Sequence, residues 1–289
     1  MRKKKRNYIE YDYENLYKKE LDLENNSEIL EEHIIKNSKK KKEYATKEIF
    51  AGEQLEVEVY PEFTRKEAEE EKEVKKKNSK AQNNLNDKNA RKEFLRLANH
   101  NFNDGDYWIT FTYDMDHYPK TMEEALKNMH NFIISINRKR KRRGLDNAKY
   151  MYVTEWKEGS NGIRCHHHLL MDNGLDMDTV ESSWKKGRRN QIRKISKDEY
   201  GLAGMANYLT KNPAGKKRWC RSTNLIKPPV RKNHYKFKPN KVKRMIRDKN
   251  IIKYEMEKQY PGYIFTDVKI YCNKFNSGYY IYARLRKKE

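Results

Sequence analysis

Three consecutive histidines stand in the run Cys165-His166-His167-His168-Leu169-Leu170-Met171. In a β-strand alternate side chains share a face, so His166 and His168 point the same way. They lie about 7 Å apart along such a strand, a spacing from which two imidazoles converge on one metal ion. Cys165, His167, Leu169 and Met171 point the other way, toward packed helices. Glu155 lies on a preceding strand-like run, and it adds a carboxylate to the same ion if the two runs form a hairpin about Asn161 and Gly162. Read alone, three histidines also suit a polar edge strand that binds nothing.

A second group of residues could supply a nucleophile. In Asn207-Tyr208-Leu209-Thr210-Lys211, read as a helix, Leu202, Met205, Ala206 and Leu209 make an apolar face. Gly204, Tyr208 and Lys211 cluster on the opposite side. Tyr208 and Lys211 are three residues apart and therefore neighbours. An adjacent ammonium eases ionisation of a phenol, and a phenolate is a competent nucleophile. Gly204, one turn earlier, leaves room for a backbone or a nucleotide. Read alone, the pair also suits an ordinary helix surface.

These residues need elements to hold them. The aromatic and β-branched residues 107–113 predict a strand. Thr121 and Glu124 form a capping-box pattern. Met122, Ala125, Leu126, Met129, Phe132, Ile133 and Ile136 then recur at helical spacing. That helix runs into six basic residues, 138–143, which suit a helix C-terminus, and it stops near Gly144. Strands follow over 150–156 and 164–171. Ser196 and Glu199 predict a second capping box and a helix to Asn212, where Pro213 ends it. The order strand, helix, strand, strand, helix predicts an α+β fold, a ferredoxin-like or RRM-like antiparallel sheet with helices on one face. Residues 54–60 alternate at period two like a strand, and residues 263–271 and 279–285 read as a late hairpin.

Composition narrows the partners. Lys and Arg number 65 against 42 Asp and Glu, a net charge of +23. Nucleic acid is the first partner for such a balance. The chain lacks long apolar runs that would span a membrane, and a strongly amphipathic basic helix suited to a lipid surface. The basic N-terminus leads into no apolar segment, so a signal peptide is not expected. Cys165, Cys220 and Cys272 are few, scattered and odd in number, which fits a reducing cytoplasm and neither a disulfide framework nor a zinc ribbon. Residues 1–95 are charge-rich and read as a charged, partly disordered arm, 96–213 as the core domain, and 214–289 as a basic extension. Between residues 211 and 247 there are 14 Lys or Arg and no Asp or Glu. Trp219, Tyr235 and Phe237 are interleaved with them. Cations track phosphates while aromatic faces stack on unpaired bases, so Lys216, Arg218, Trp219, Arg231, Tyr235, Lys236 and Lys238 are the residues expected to bind DNA. A solvated tail is the alternative.

In order and spacing these segments resemble the HUH endonuclease superfamily, and within it the rolling-circle replication initiators of bacterial plasmids and phages. Phe111-Thr112-Tyr113 resembles the first motif, His166-His167-His168 the His–hydrophobic–His motif and Tyr208-Leu209-Thr210-Lys211 the Tyr-x-x-Lys motif, over residues 101–212. The chain departs from the pattern at His167, where an apolar residue is usual. The resemblance implies Mg²⁺ or Mn²⁺ held by His166, His168 and Glu155. It implies Tyr208 as the nucleophile toward origin DNA in single-stranded form, with a 5′-phosphotyrosine intermediate, and Lys211 as a countercharge. Tyr200 is a second candidate tyrosine, ranked lower because no lysine stands three residues on. The absence of a Gly-x-x-x-x-Gly-Lys-Ser/Thr stretch implies a helicase and a polymerase borrowed from the host. A transposase of the same superfamily, a mobilisation relaxase and a non-catalytic nucleic-acid-binding protein are the competing readings. The relaxase is disfavoured because Tyr208 follows the histidines.

Overall fold

The computed structural model describes residues 43–62, 79–157, 162–211, 213–214, 218–272 and 278–288. Among these the elements run β1 (Tyr44–Ala51), β2 (Gln54–Pro61), α1 (Ser79–Asn101), β3 (Tyr107–Phe111), α2 (Met122–Arg142), β4 (Tyr150–Lys157), β5 (Ile163–Met171), α3 (Met177–Glu181), β6 (Gln191–Lys194), α4 (Ala203–Leu209), β7 (Cys220–Arg221), β8 (Val230–Asn233), α5 (Pro239–Met245), α6 (Lys249–Gln259), β9 (Tyr263–Cys272) and β10 (Tyr279–Lys287). The fold is α+β with two antiparallel five-stranded sheets. No described helix is long and apolar enough to cross a membrane.

Residues 90–228 form one compact unit. Its sheet has the order β6-β3-β5-β4-β7. Helix α2 begins as its sequence predicts: Thr121 Oγ1 accepts from the Glu124 amide at 3.2 Å, and Glu124 Oε2 accepts from the Lys120 amide at 2.8 Å. It buries Ala125, Met129, Phe132, Ile133 and Ile136 with Ile109, Phe111, Leu169 and Met171 of the sheet. Full burial of such a side chain stabilises by about 1.5–3 kcal/mol. Part of the basic run at its C-terminus is structural. Arg140 is buried and grips Asp172 through two bonds of 3.0 and 2.9 Å. Arg143 pairs with Asp176, and Lys139 donates to Ser183.

The opposite face of this sheet is not bare, as helices on one face would leave it. Met151, Val153 and Leu170 are buried beneath Phe94, Leu97, Ala98 and Phe102 and beneath Leu202, Ala206 and Leu209. The end of α1 and the short α4 therefore cover part of it. Helix α4 starts later than residue 196. Asp198 Oδ1 accepts from the Tyr200 amide at 2.8 Å, and Asp198 and Gly201 exchange backbone bonds. Gly201 takes φ of 67°, in the left-handed region that glycine enters without strain. That turn replaces the Ser196–Glu199 capping box, and the Leu202 amide is met by Asn99 Oδ1 at 2.8 Å. Tyr200 thus sits in the turn and not on the helix.

Residues 229–289 group with the N-terminal segment in a second unit. Its sheet has the order β8-β1-β2-β10-β9. Hairpin β1–β2 falls within the expected N-terminal arm, and β9–β10 is the expected late hairpin. The two join because β2 and β10 pair directly, Val57 opposite Ala283. Val57, Val59, Ile281 and Leu285 share a core with Val242, Met245, Ile252 and Met256 of α5 and α6. A solitary hairpin is marginal in water, so these distant segments fold as one sheet and not as an arm and a tail.

Candidate metal and tyrosine site

Strand pairing builds the site. Glu155 pairs directly with His166, and Val153 with His168. Directly paired residues of an antiparallel ladder share a face, so Glu155, His166 and His168 emerge on the same side, as strand parity requires. The register slips just beyond Glu155, where Lys157 pairs with Ile163. A bulge of this kind re-aims neighbouring side chains. Here the Arg164 carbonyl lies 2.8 Å from His166 Nδ1, which must donate to it. The neutral His166 ring therefore carries its lone pair on Nε2. That atom is 3.1 Å from His168 Nε2 and 3.6 Å from Glu155 Oε2.

The three ligand atoms lie within 4.8 Å of one another. Among the described residues theirs is the group of His, Cys, Asp and Glu arranged to hold a metal ion. A hydroxyl partner orients the second imidazole: His168 Nδ1 is 3.0 Å from Thr110 Oγ1. Such hydrogen bonds to the far ring nitrogen fix the tautomer of a metal-ligating histidine. Burial pushes the His168 pKa down to about 4, and nearby His166 adds to the shift. The His168 ring is thus neutral and free to donate a lone pair near neutral pH. Burial raises the Glu155 carboxyl above its ordinary range, opposed by charge attraction to His166 and Lys211. One carboxylate and two imidazoles, with oriented second-layer partners, fit a divalent cation.

His167 points to the other face and is fully occupied there. Its Nε2 lies 2.8 Å from Tyr113 Oη and its Nδ1 2.9 Å from Thr154 Oγ1. Burial pushes its pKa down to about 3. Two hydroxyl partners make a histidine tolerable where an apolar residue is usual.

Tyr208 stands beside this group. Its ring meets His168 edge to face, with centroids 5.3 Å apart, and Trp108 at 5.9 Å. It is 55% exposed, so the phenol remains reachable by a large substrate. Leu202, Ala206 and Leu209 are buried on the far side of the same segment and Met205 packs beside them. Lys211 is exposed and lies within electrostatic reach of Glu155. Thr110 and Trp108 escaped the sequence reading as site residues. Both sit at alternate positions of β3, so parity with His168 was the available signal.

The residues expected to bind DNA scatter. Lys216 lies outside the described residues. Trp219 packs on Phe94 and donates to the Ala90 carbonyl, so its ring is part of the core margin of the unit that carries the site. Arg218 belongs to that unit too. Arg231, Tyr235, Lys236 and Lys238 belong to the other unit. Lys236 pairs at 2.5 Å with buried Glu48 and covers the Tyr260 ring. Phe237 is a core residue, whereas Tyr235 is 79% exposed.

Residues 106–213 match the family model for the replication-associated protein ORF2. The match contains Glu155, His166, His168, Tyr208 and Lys211, and it is consistent with a replication initiator. Among curated proteins none matches the chain. A crystal structure of the hypothetical protein ORF119 from Sulfolobus islandicus rod-shaped virus 1 aligns with 42% of this chain and 91% of that one. The identity is 20% and the TM-score 0.29, a likeness too slight to carry a statement about fold or function.

Proposed function

We propose that this protein initiates rolling-circle replication by nicking and rejoining single-stranded origin DNA through Tyr208, as the HUH resemblance implies. The observation that carries the reading is the placement of the Tyr208 ring on His168, one member of a Glu–His–His group fit for a divalent cation. Glu155, His166 and His168 would hold Mg²⁺ or Mn²⁺. When bound, the cation polarises a phosphate oxygen and offsets developing charge. The Tyr208 hydroxyl attacks phosphorus and loses its proton as the new P–O bond forms. The P–O3′ bond breaks, and the departing 3′ oxygen takes up a proton. The products are a 5′-phosphotyrosine and a 3′-hydroxyl able to prime synthesis. Because one phosphoester replaces another, the reverse attack by a 3′-hydroxyl rejoins the strand. Lys211 supplies a positive charge beside the reacting phosphate. Helicase and polymerase activities come from the host.

The test is incubation with circular single-stranded DNA and Mn²⁺, resolved on a denaturing gel. The native chain gives linear DNA that migrates with protein, and the adduct maps to Tyr208 by mass spectrometry. Tyr208→Phe gives neither product while binding the DNA. An adduct on Tyr200, or cleavage without any adduct, would overturn the assignment of the nucleophile.

A further inference from the structure

We infer that the edge strand β6 and the turn leading into it, residues 185–194, form the track along which the phosphates of a single-stranded nucleic acid lie beside the site. The inference rests on the reading above for its substrate and adds the surface that holds it.

Three observations carry it. The first is register. Gln191 pairs with Thr110 and Arg193 with Trp108, while Thr110 pairs with His168. Paired residues share a face, so Gln191 and Arg193 stand on the same face as His168, His166 and Glu155. One row across the sheet reads Gln191, Thr110, His168. The next reads Arg193, Trp108, Leu170, and Tyr208 rests on the Trp108 ring between the two histidine-bearing positions and the edge.

The second is charge. Residues 185–197 hold seven Lys or Arg and no Asp or Glu. Arg188 pairs with Asp114 at 3.2 Å. Lys185, Arg189, Arg193 and Lys194 are exposed and have no ion-pair partner among the described residues. Cations without local carboxylates attract a polyanion, and each phosphate contact releases counterions.

The third is rigidity. Trp184 Nε1 donates to the Thr112 carbonyl at 2.8 Å, the Asp114 amide to the Lys186 carbonyl at 2.9 Å, and Thr112 Oγ1 to the Arg189 carbonyl at 2.9 Å. The turn is therefore bolted to the end of β3, and its cations keep their place relative to the histidines. The competing explanation is that lysine and arginine merely guard an exposed sheet edge against pairing with another chain. Edge protection asks for charge anywhere along β6. It asks for nothing on the site face and predicts no preference for nucleic acid.

Fluorescence anisotropy of a labelled oligothymidylate, titrated with salt in EDTA, tests the inference on the full chain. Without metal no cleavage occurs, so an inactive Tyr208 site and an absent track give separate results. Arg189→Gln, Arg193→Gln and Lys194→Gln combined should weaken binding at least tenfold at low salt. The combination should flatten the slope of log affinity against log salt by about 0.7 for each lost contact, about 2 in all. The combination Arg138→Gln, Lys141→Gln and Arg142→Gln removes the same charge from the end of α2 and should do much less. Arg189→Lys with Arg193→Lys keeps the charge and should keep the slope, which guards against a folding defect in the glutamine variant. An unchanged slope in the β6 variant would overturn the inference and leave edge protection. Equal losses in the β6 and α2 variants, which would point to net charge alone, or a larger loss on duplex DNA than on oligothymidylate, would also overturn it.

Discussion

At the scale of single residues the three histidines divide into two jobs. His166 and His168 face Glu155, while His167 is buried between Tyr113 and Thr154. The division predicts opposite phenotypes. His166→Ala and His168→Ala should lower Mn²⁺ affinity at least tenfold in isothermal titration and leave the melting temperature of the metal-free chain nearly unchanged. His167→Leu should do the reverse. It orphans a buried hydroxyl on each side, at about 1–3 kcal/mol for each group left without a partner. Its melting temperature should fall while Mn²⁺ still binds. Loss of Mn²⁺ binding in His167→Leu with the melting temperature intact contradicts the ligand assignment. The histidine pattern, the Glu155 partner and the Tyr208–Lys211 spacing were legible because strand and helix periodicities are local rules. The hydroxyl partners Thr110, Tyr113 and Thr154 were not, because each depends on which strand lies alongside.

At the scale of elements, the strands that carry the ligands and the helix behind them follow from apolar spacing and a capping pair. Helix α4 does not: the Asp198–Gly201 turn competes with the expected helix start and wins, because aspartate bonds to its own nearby backbone and glycine accepts the left-handed region. Strand β6 was missed because Gln191-Ile192-Arg193-Lys194 has one apolar residue, and its pairing comes from β3. The turn before it carries a sharp steric requirement. A Cβ on Gly187 would lie 2.2 Å from the Thr112 carbonyl oxygen, a backbone atom. Gly187→Ala should therefore displace the turn from β3 and cost roughly 1–3 kcal/mol, the usual range for overpacking. Chemical denaturation would show a lower midpoint. A native midpoint would mean that the turn has slack which the hydrogen bonds of Thr112 do not suggest.

For the whole molecule, the charge of +23 is only partly available to a polyanion. Lys236 neutralises Glu48, and both Lys241 and Arg244 pair with Glu255. Lys238 and Tyr235 are exposed. Lys236→Gln should accordingly act on stability first. It leaves the Glu48 carboxylate, 4% exposed, with Tyr260 as its described hydrogen-bond partner. The cost should be about 1–3 kcal/mol, below that of a fully buried pair because a quarter of the Lys236 side chain is open to solvent. Lys238→Gln should leave the melting temperature alone and flatten the salt slope of DNA binding by about 0.7 if it touches phosphate. Thermal melts and salt titrations on the two variants separate these effects. A stable Lys236→Gln with a flattened slope would return Lys236 to the DNA-binding surface.

The sequence by itself determined the parts of this protein that obey short-range rules. These are the β3, β4 and β5 strands, the amphipathic α2, the shared face of His166 and His168, the exposed side of α4 that bears Tyr208, and an overall attraction to polyanions. Tertiary structure alone decided three things. Strands from residues 44–61 and 263–287 join in one sheet, because neither hairpin buries its apolar face alone. The second face of the site sheet is capped by the end of α1, whose apolar residues find Met151, Val153 and Leu170 only after the chain has folded. And of all the lysines and arginines, pairing with buried carboxylates removes some from the surface, while strand register puts Arg193 on the face of the histidines. Periodicity fixes which way a side chain points within its own element. What it points at is fixed by contacts between residues far apart in the chain, and those carry no local signal.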